Sequence, residues 1–237
     1  MKVIGRDIGE VLDGLYGEVE RRARIELQLE LRVEPFEGGS VSDIRWGADT
    51  VTISLHSGVP THALPHVFGV ALQHVRQRLD RYPEVRRPPA LKQGDGAGIV
   101  RAALRELVLA PEADMQLESL ALDQEWEIEQ RHQGLKELLR DPPPDGDEEG
   151  SPGNSFIALQ YARFAIQHPP EMWDGLRTDI KEAFPAATAR GKRVVSAVRE
   201  SGWGTPGACL QSLLGAREEL ALRSVALIYD RRTGESL

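Results

Sequence analysis

A chain of 237 residues that is 41% hydrophobic and 28% charged has the length and balance to bury a real core. Its formal net charge of −8 argues against a protein whose main task is gripping phosphate backbones. The single cysteine, Cys209, excludes an internal disulfide and a thiolate metal site.

Ile8, Val11, Leu12, Leu15 and Val19 recur at helical spacing and predict an amphipathic helix from residue 6 to about 23. The period then changes. Ile25, Leu27, Leu29, Leu31 and Val33 alternate with Glu26, Gln28, Glu30 and Arg32, the pattern of a half-buried strand. Gly38-Gly39-Ser40 turns the chain into a second strand, Val41 to Trp46, and Gly47-Ala48-Asp49 into a third around Val51, Ile53 and Leu55. Pro60 or Pro65 can open the next helix, which should run to about Leu79.

Residues 81–97, with Tyr82-Pro83, Pro88-Pro89 and Gly94-Asp95-Gly96, read as an irregular loop. The Gly94-Asp95-Gly96-Ala97-Gly98 stretch lacks the Lys-Ser/Thr of a phosphate loop. Helices are expected at about 98–110 and 112–140, meeting at Pro111. Residues 141–154 are acidic and rich in Pro and Gly, as a flexible linker or mobile surface loop would be. Helical patterns follow near 155–168, 171–184, 186–201 and 206–229, the last opened by Thr205 as N-cap and Pro206. Early strands followed by helices predict an α+β fold. Its N-terminal part, 1–140, would hold a small antiparallel or mixed three-stranded sheet packed on helices, and 155–237 an all-helical region.

His56, His62, His66 and His74 cluster in sequence, and geometry decides which could share an ion. Histidines four apart on a helix point the same way. His66 and His74 are eight apart, roughly 80° of rotation and about 12 Å of rise, too far to meet one ion. The position that would complete His74 is Val70. His62 and His66 have the spacing, but Pro65 disfavours helical geometry at Leu64, so His62 is expected before the helix.

The segment Val70-Ala71-Leu72-Gln73-His74, continuing as Val75-Arg76-Gln77, resembles the HExxH helix of zincin metallopeptidases. In that motif two histidines hold zinc and the glutamate after the first activates water. Here Val70 stands in place of the first histidine, Ala71 in place of the glutamate, and His74 in place of the second histidine. Further on, Leu117-Glu118-Ser119-Leu120-Ala121-Leu122 resembles the zincin third-ligand segment. That places Glu118 at the ligand position, with Asp114 one turn earlier on the same face.

The resemblance covers about residues 1–140 and implies a zincin-like α+β domain whose catalytic positions, Val70 and Ala71, have been lost. No metal or other cofactor is then expected. His74 and Glu118 would be remnants hydrogen-bonded to each other, and Val67, Phe68, Val70, Ala71 and Val75 would fill the old site. The implied function is a catalytically inactive pseudo-metallopeptidase with a peptide- or protein-binding or regulatory role. Two alternatives stand beside it. One is an active zinc-dependent hydrolase drawing ligands from His62, His66, His74, Asp114 and Glu118. The other is a helical protein-interaction module, resting on the acidic segment and the late helices.

No nucleic-acid partner is expected, because Arg76, Arg78, Arg81, Arg86 and Arg87 have no stacking aromatics interleaved among them. No apolar run is long enough for a membrane span, and Met1 to Asp7 lacks the apolar stretch of a signal peptide. With one cysteine, these features predict a reducing, cytoplasmic setting. Oligomeric state is left open.

Overall fold

Val51, Ile53 and Leu55 alternate with Thr50, Thr52 and Ser54, and this period of two makes the central strand of the N-terminal sheet. The computed structural model describes residues 1–91 and 97–237. The fold is α+β: a small mixed three-stranded sheet packs on helices, and a helical region follows it. The described residues form two compact units, Met1–Asp80 with Ala113–Glu129, and Arg81–Glu112 with Gln130–Leu237.

In the first unit a short hairpin, β1 (Lys2–Val3) and β2 (Arg6–Asp7), precedes α1 (Asp13–Leu27). Then come β3 (Glu30–Phe36), β4 (Ser42–Trp46), β5 (Thr50–His56) and α2 (Leu64–Leu79). The sheet order is β3-β5-β4, with β5 parallel to β3 and antiparallel to β4. Leu31, Val51, Ile53 and Leu55 share a buried cluster with Val19 and Ala23 of α1 and Val67, Phe68, Ala71, Leu72 and Val75 of α2. The other face is polar: Arg45 donates to Glu34 and to Ser54, and the Ser54 hydroxyl reaches Glu34 at 3.2 Å.

The first helix departs from the sequence expectation at both ends. Residues 6–7 belong to the hairpin, and the helix runs on to Leu27 where a strand was expected from Ile25. Arg22 and Glu26 form an i,i+4 pair that favours continued helix, and Gln28, at φ 58°, ends it. Ile25 and Leu27 mimic strand alternation but stand 64% and 40% exposed in the last helical turn.

In the second unit lie β6 (Glu84–Arg86) and most of α3 (Ala97–Leu117) and α4 (Glu125–Arg140). They are followed by α5 (Pro152–Gln167), α6 (Pro170–Ala183), α7 (Pro185–Ser201), α8 (Pro206–Glu219), β7 (Leu227–Asp230) and β8 (Glu235–Ser236). Pro111 does not divide α3. It sits inside the helix, flanked by buried Leu107, Val108, Ala110 and Ala113, whose packing outweighs the one missing N–H. The break comes later, where Ala121 adopts φ 47° and the Asp123 carboxylate caps α4 by accepting from the Glu125 N–H.

The late helices start and stop close to expectation. Thr205 caps α8 by accepting from the Ala208 N–H, and Ser151 caps α5 by accepting from the Asn154 N–H. However, α8 stops at Glu219 rather than near 229, and β6, β7 and β8 form a small antiparallel ribbon. Its β6 strand lies in the stretch expected as loop. The Gly94-Asp95-Gly96 part of that stretch falls outside the described residues. Arg86 of β6 covers the Tyr229 ring of β7 at 3.5 Å, and Arg231, just after β7, pairs with Glu84 of β6; these two contacts tie the ribbon across its strands. No described helix is long and apolar enough to cross a membrane.

Residues 141–151 lie within the second unit as a series of mostly exposed turns, and 152–154, expected as part of the same segment, form the first turn of α5. The Ser151 hydroxyl donates to the Asp145 carbonyl at 2.6 Å, and Asp147 accepts from the Ala186 N–H at the start of α7. These bonds tie the segment to α5 and α7.

Helices α5 and α7 approach closely at Gly191. A Cβ built there would lie 2.8 Å from both the Ala158 carbonyl oxygen and Tyr161 Cδ1. Beside it, buried Arg190 donates to Asn154 Oδ1 at 2.6 Å and to the Leu220 carbonyl at 2.8 Å. Gly191→Ala gains up to about 1 kcal/mol in helix propensity. Overpacking costs about 1–3 kcal/mol, and since one clash is with backbone the loss wins. Urea denaturation should show a net loss of about 1–2 kcal/mol; unchanged stability would mean the helices do not touch at Gly191.

Candidate functional site

Helix α2 opens with Pro65 in its first turn, where a missing N–H does no harm. Its core side carries Leu64, Val67, Phe68, Ala71, Leu72, Val75 and Leu79. Val70, His74 and Arg78 follow one another at i, i+4 and i+8 as a half-exposed stripe. Val70 and His74 therefore share a face, while Ala71, at 0% exposure, belongs wholly to the core.

His74 Nδ1 pairs with Gln77 Oε1 at 2.8 Å. Glu118 follows the last residue of α3 on a 3-10 turn, Glu118–Leu120, and is exposed. Among the described residues no hydrogen bond or ion pair joins His74 to Glu118, so the mutual bond expected from sequence is replaced by the Gln77 contact. The physical reason is the end of α3: Glu118 no longer continues the face that carries Asp114.

His62 is exposed in the turn before α2, as Pro65 implies. His66, on the first turn of α2, is 2% exposed and lies between two acids. Its Nδ1–H donates to the Glu127 carboxylate, and its Nε2 stands 3.8 Å from Asp114 Oδ1 without a hydrogen-bond partner. The structure thus brings two of the sequence candidates, His66 and Asp114, together, and adds Glu127, which no sequence signal had marked. Glu127 lies in the first turn of α4, where the helix dipole favours a carboxylate.

The two acids face opposite ring nitrogens. An ion bound at one nitrogen could not also be bound by the carboxylate at the other, so the trio does not converge on one point. Among the described residues there is no group of three or more His, Cys, Asp or Glu side chains arranged to hold a metal. What this arrangement does is fix the imidazole and pin α2 to the end of α3 and the start of α4.

A second histidine contact lies in the second unit. His132 Nδ1 and His168 Nε2 are 3.1 Å apart, and the rings are nearly parallel with centroids 5.4 Å apart. So short a nitrogen separation at that centroid distance means that the rings meet edge to edge, one nitrogen donating and the other accepting. Burial, then the positive charge of Arg131, then His132 push His168 down to about 4, against the opposing pull of Glu171. Because the folded value is below the unfolded one, stability contributed by neutral His168 is present above about pH 6.5 and lost as pH falls toward 4. That loss amounts to about 2–3 kcal/mol. Urea denaturation of His168→Phe should show a smaller loss across the same window; an unchanged pH profile would remove His168 as its source.

Comparison of the chain with protein-family models, curated proteins and solved structures found no match in any of the three.

Proposed function

We propose that the first unit is a catalytically inactive, zincin-like module that binds an extended peptide or protein segment along β4, beside α2. The observation that carries this reading is the position of β4. It is an antiparallel edge strand, and Arg78, on the same stripe as Val70 and His74, lies over the Trp46 ring at 3.9 Å. Strand addition at an open edge supplies main-chain affinity, and a neighbouring helix face supplies side-chain contacts. The central strand β5 is paired on both sides and cannot take this part.

The zincin-like element order supports the reading: helix, three strands, then a helix beginning soon after the last strand. Val70 and His74 occupy the stripe where that family's first and second histidines would stand. Apolar Val70 and core-bound Ala71 leave no side chain there to share an ion with His74 or to activate water. A cytoplasmic setting belongs to the same reading, with Cys209 as a buried thiol donating to the Trp203 carbonyl at 3.0 Å.

Hydrogen exchange of the full chain, with and without a pool of random decapeptides, tests the proposal. Slower amide exchange over Ser42–Trp46 is expected, with the peptides recovered intact in the presence of zinc. Unchanged exchange there would refute the binding role. Zinc-dependent cleavage of the pool would replace it with the active-hydrolase reading.

A further inference from the structure

The opposite edge of the same sheet, β3, carries a separate set of instructions. The Glu30 N–H donates to the Asp49 carbonyl at 2.9 Å, and the Phe36 carbonyl accepts from the Ser57 N–H at 3.2 Å. Even-numbered residues of β3 therefore face β5. Successive residues of a parallel ladder alternate in direction, so Leu31 and Val33 aim their N–H and C=O groups away from the sheet. Pro35, the next outward position, has no N–H to offer.

We infer that β3 pairs antiparallel with β3 of a second copy of this chain, Leu31 opposite Leu31 of the copy, joining two three-stranded sheets about a two-fold axis. The charges select both the occupant and the register. Glu30, Arg32 and Glu34 line the polar face of β3, with Glu30 and Arg32 exposed. Pairing centred on Leu31 sets Glu30 opposite Arg32 of the copy, and symmetry repeats the contact. Pairing centred on Arg32 would oppose that arginine to itself. Pairing centred on Val33 would set Arg32 against Glu34 of the copy, a carboxylate already held by Arg45 within its own sheet.

Two further features agree with a self-complementary edge. Ile25 and Leu27, in the last turn of α1 shortly before β3, are exposed and leave apolar surface uncovered. In the selected register Arg32 of the copy arrives at Glu30. That residue lines an open groove of about 420 Å³ whose Glu20, Glu30 and Asp49 outnumber its single Arg24. Within one chain Arg32 and Glu30 pair with each other at 2.8 Å, an exposed contact of little worth that a cross-strand partner can take over.

Sedimentation of the full chain from micromolar to submillimolar concentration tests the inference. A reversible dimer is expected. Arg32→Glu should raise its dissociation constant at least about tenfold, since two attractive pairs become repulsive. The charge swap Glu30→Arg with Arg32→Glu should restore most of the loss. Val33→Pro removes an outward N–H and trims a side chain packed at the edge of the core, so it should give a monomer with the circular dichroism of the parent and a somewhat lower melting temperature. A monomer at every concentration would overturn the inference, as would a dimer indifferent to both Arg32→Glu and Val33→Pro.

Discussion

Ala71→Glu is expected to cost about 4–5 kcal/mol, while Val70→His on the adjacent residue costs under about 1 kcal/mol. The difference comes from burial. Ala71 has no exposure and lies in the cluster with Val67, Phe68, Leu72 and Val75. A carboxylate introduced there must lose its hydration with no cation in the cluster to replace it. Val70 is half-exposed on the stripe with His74, so an imidazole there keeps contact with water. It also creates a helical i,i+4 histidine pair, because His74 uses Nδ1 for Gln77 and keeps Nε2 for a metal.

In Val70→His, zinc at a hundredfold excess over its dissociation constant should add about 2.7 kcal/mol of stability. In a chain of this size that raises the melting temperature by about 5–10 °C. The parent should show no such shift. Absence of a zinc-dependent shift in Val70→His would mean that Val70 and His74 do not share a face, and the register of the zincin resemblance would fall with it. Restoring both motif letters at once is expected to fail through Ala71→Glu alone, so the single substitution is the sharper measurement.

The apolar periods of the sequence locate most of the fold because they record burial directly. The alternation of Val51, Ile53 and Leu55 found the central strand, and the Thr205-Pro206 signal found the start of α8. Errors arose where local pattern and tertiary burial disagree. Ile25 and Leu27 satisfy the strand pattern, yet they end a helix whose i,i+4 pairing carries it past them. Pro111 looks like a break, yet buried neighbours on both sides hold its helix together. The small ribbon joins Glu84–Arg86 to Leu227–Asp230, and no local period records a pairing so distant in the chain. The candidate site follows the same rule. The stripe of Val70 and His74 was legible because both lie on one helix. Glu127 was not, because it meets His66 only through the packing of α4 on α2, 61 residues away.

That packing makes Glu127 the second position of large expected effect. Glu127→Ala should cost about 3–4 kcal/mol, because it removes the hydrogen-bond partner of an imidazole that is 2% exposed. His66 Nε2 already lacks a hydrogen bond, so the substitution leaves the buried ring without one at either nitrogen. Replacing the ring as well should recover much of the loss. Phe at position 66 needs no polar partner, so His66→Phe combined with Glu127→Ala should be less destabilised than the sum of the single changes, by about 1–3 kcal/mol. Urea denaturation of the four proteins gives this coupling directly. Additive losses would mean that His66 and Glu127 act independently, and α2 would then be held to α4 by Trp126 and its apolar neighbours alone.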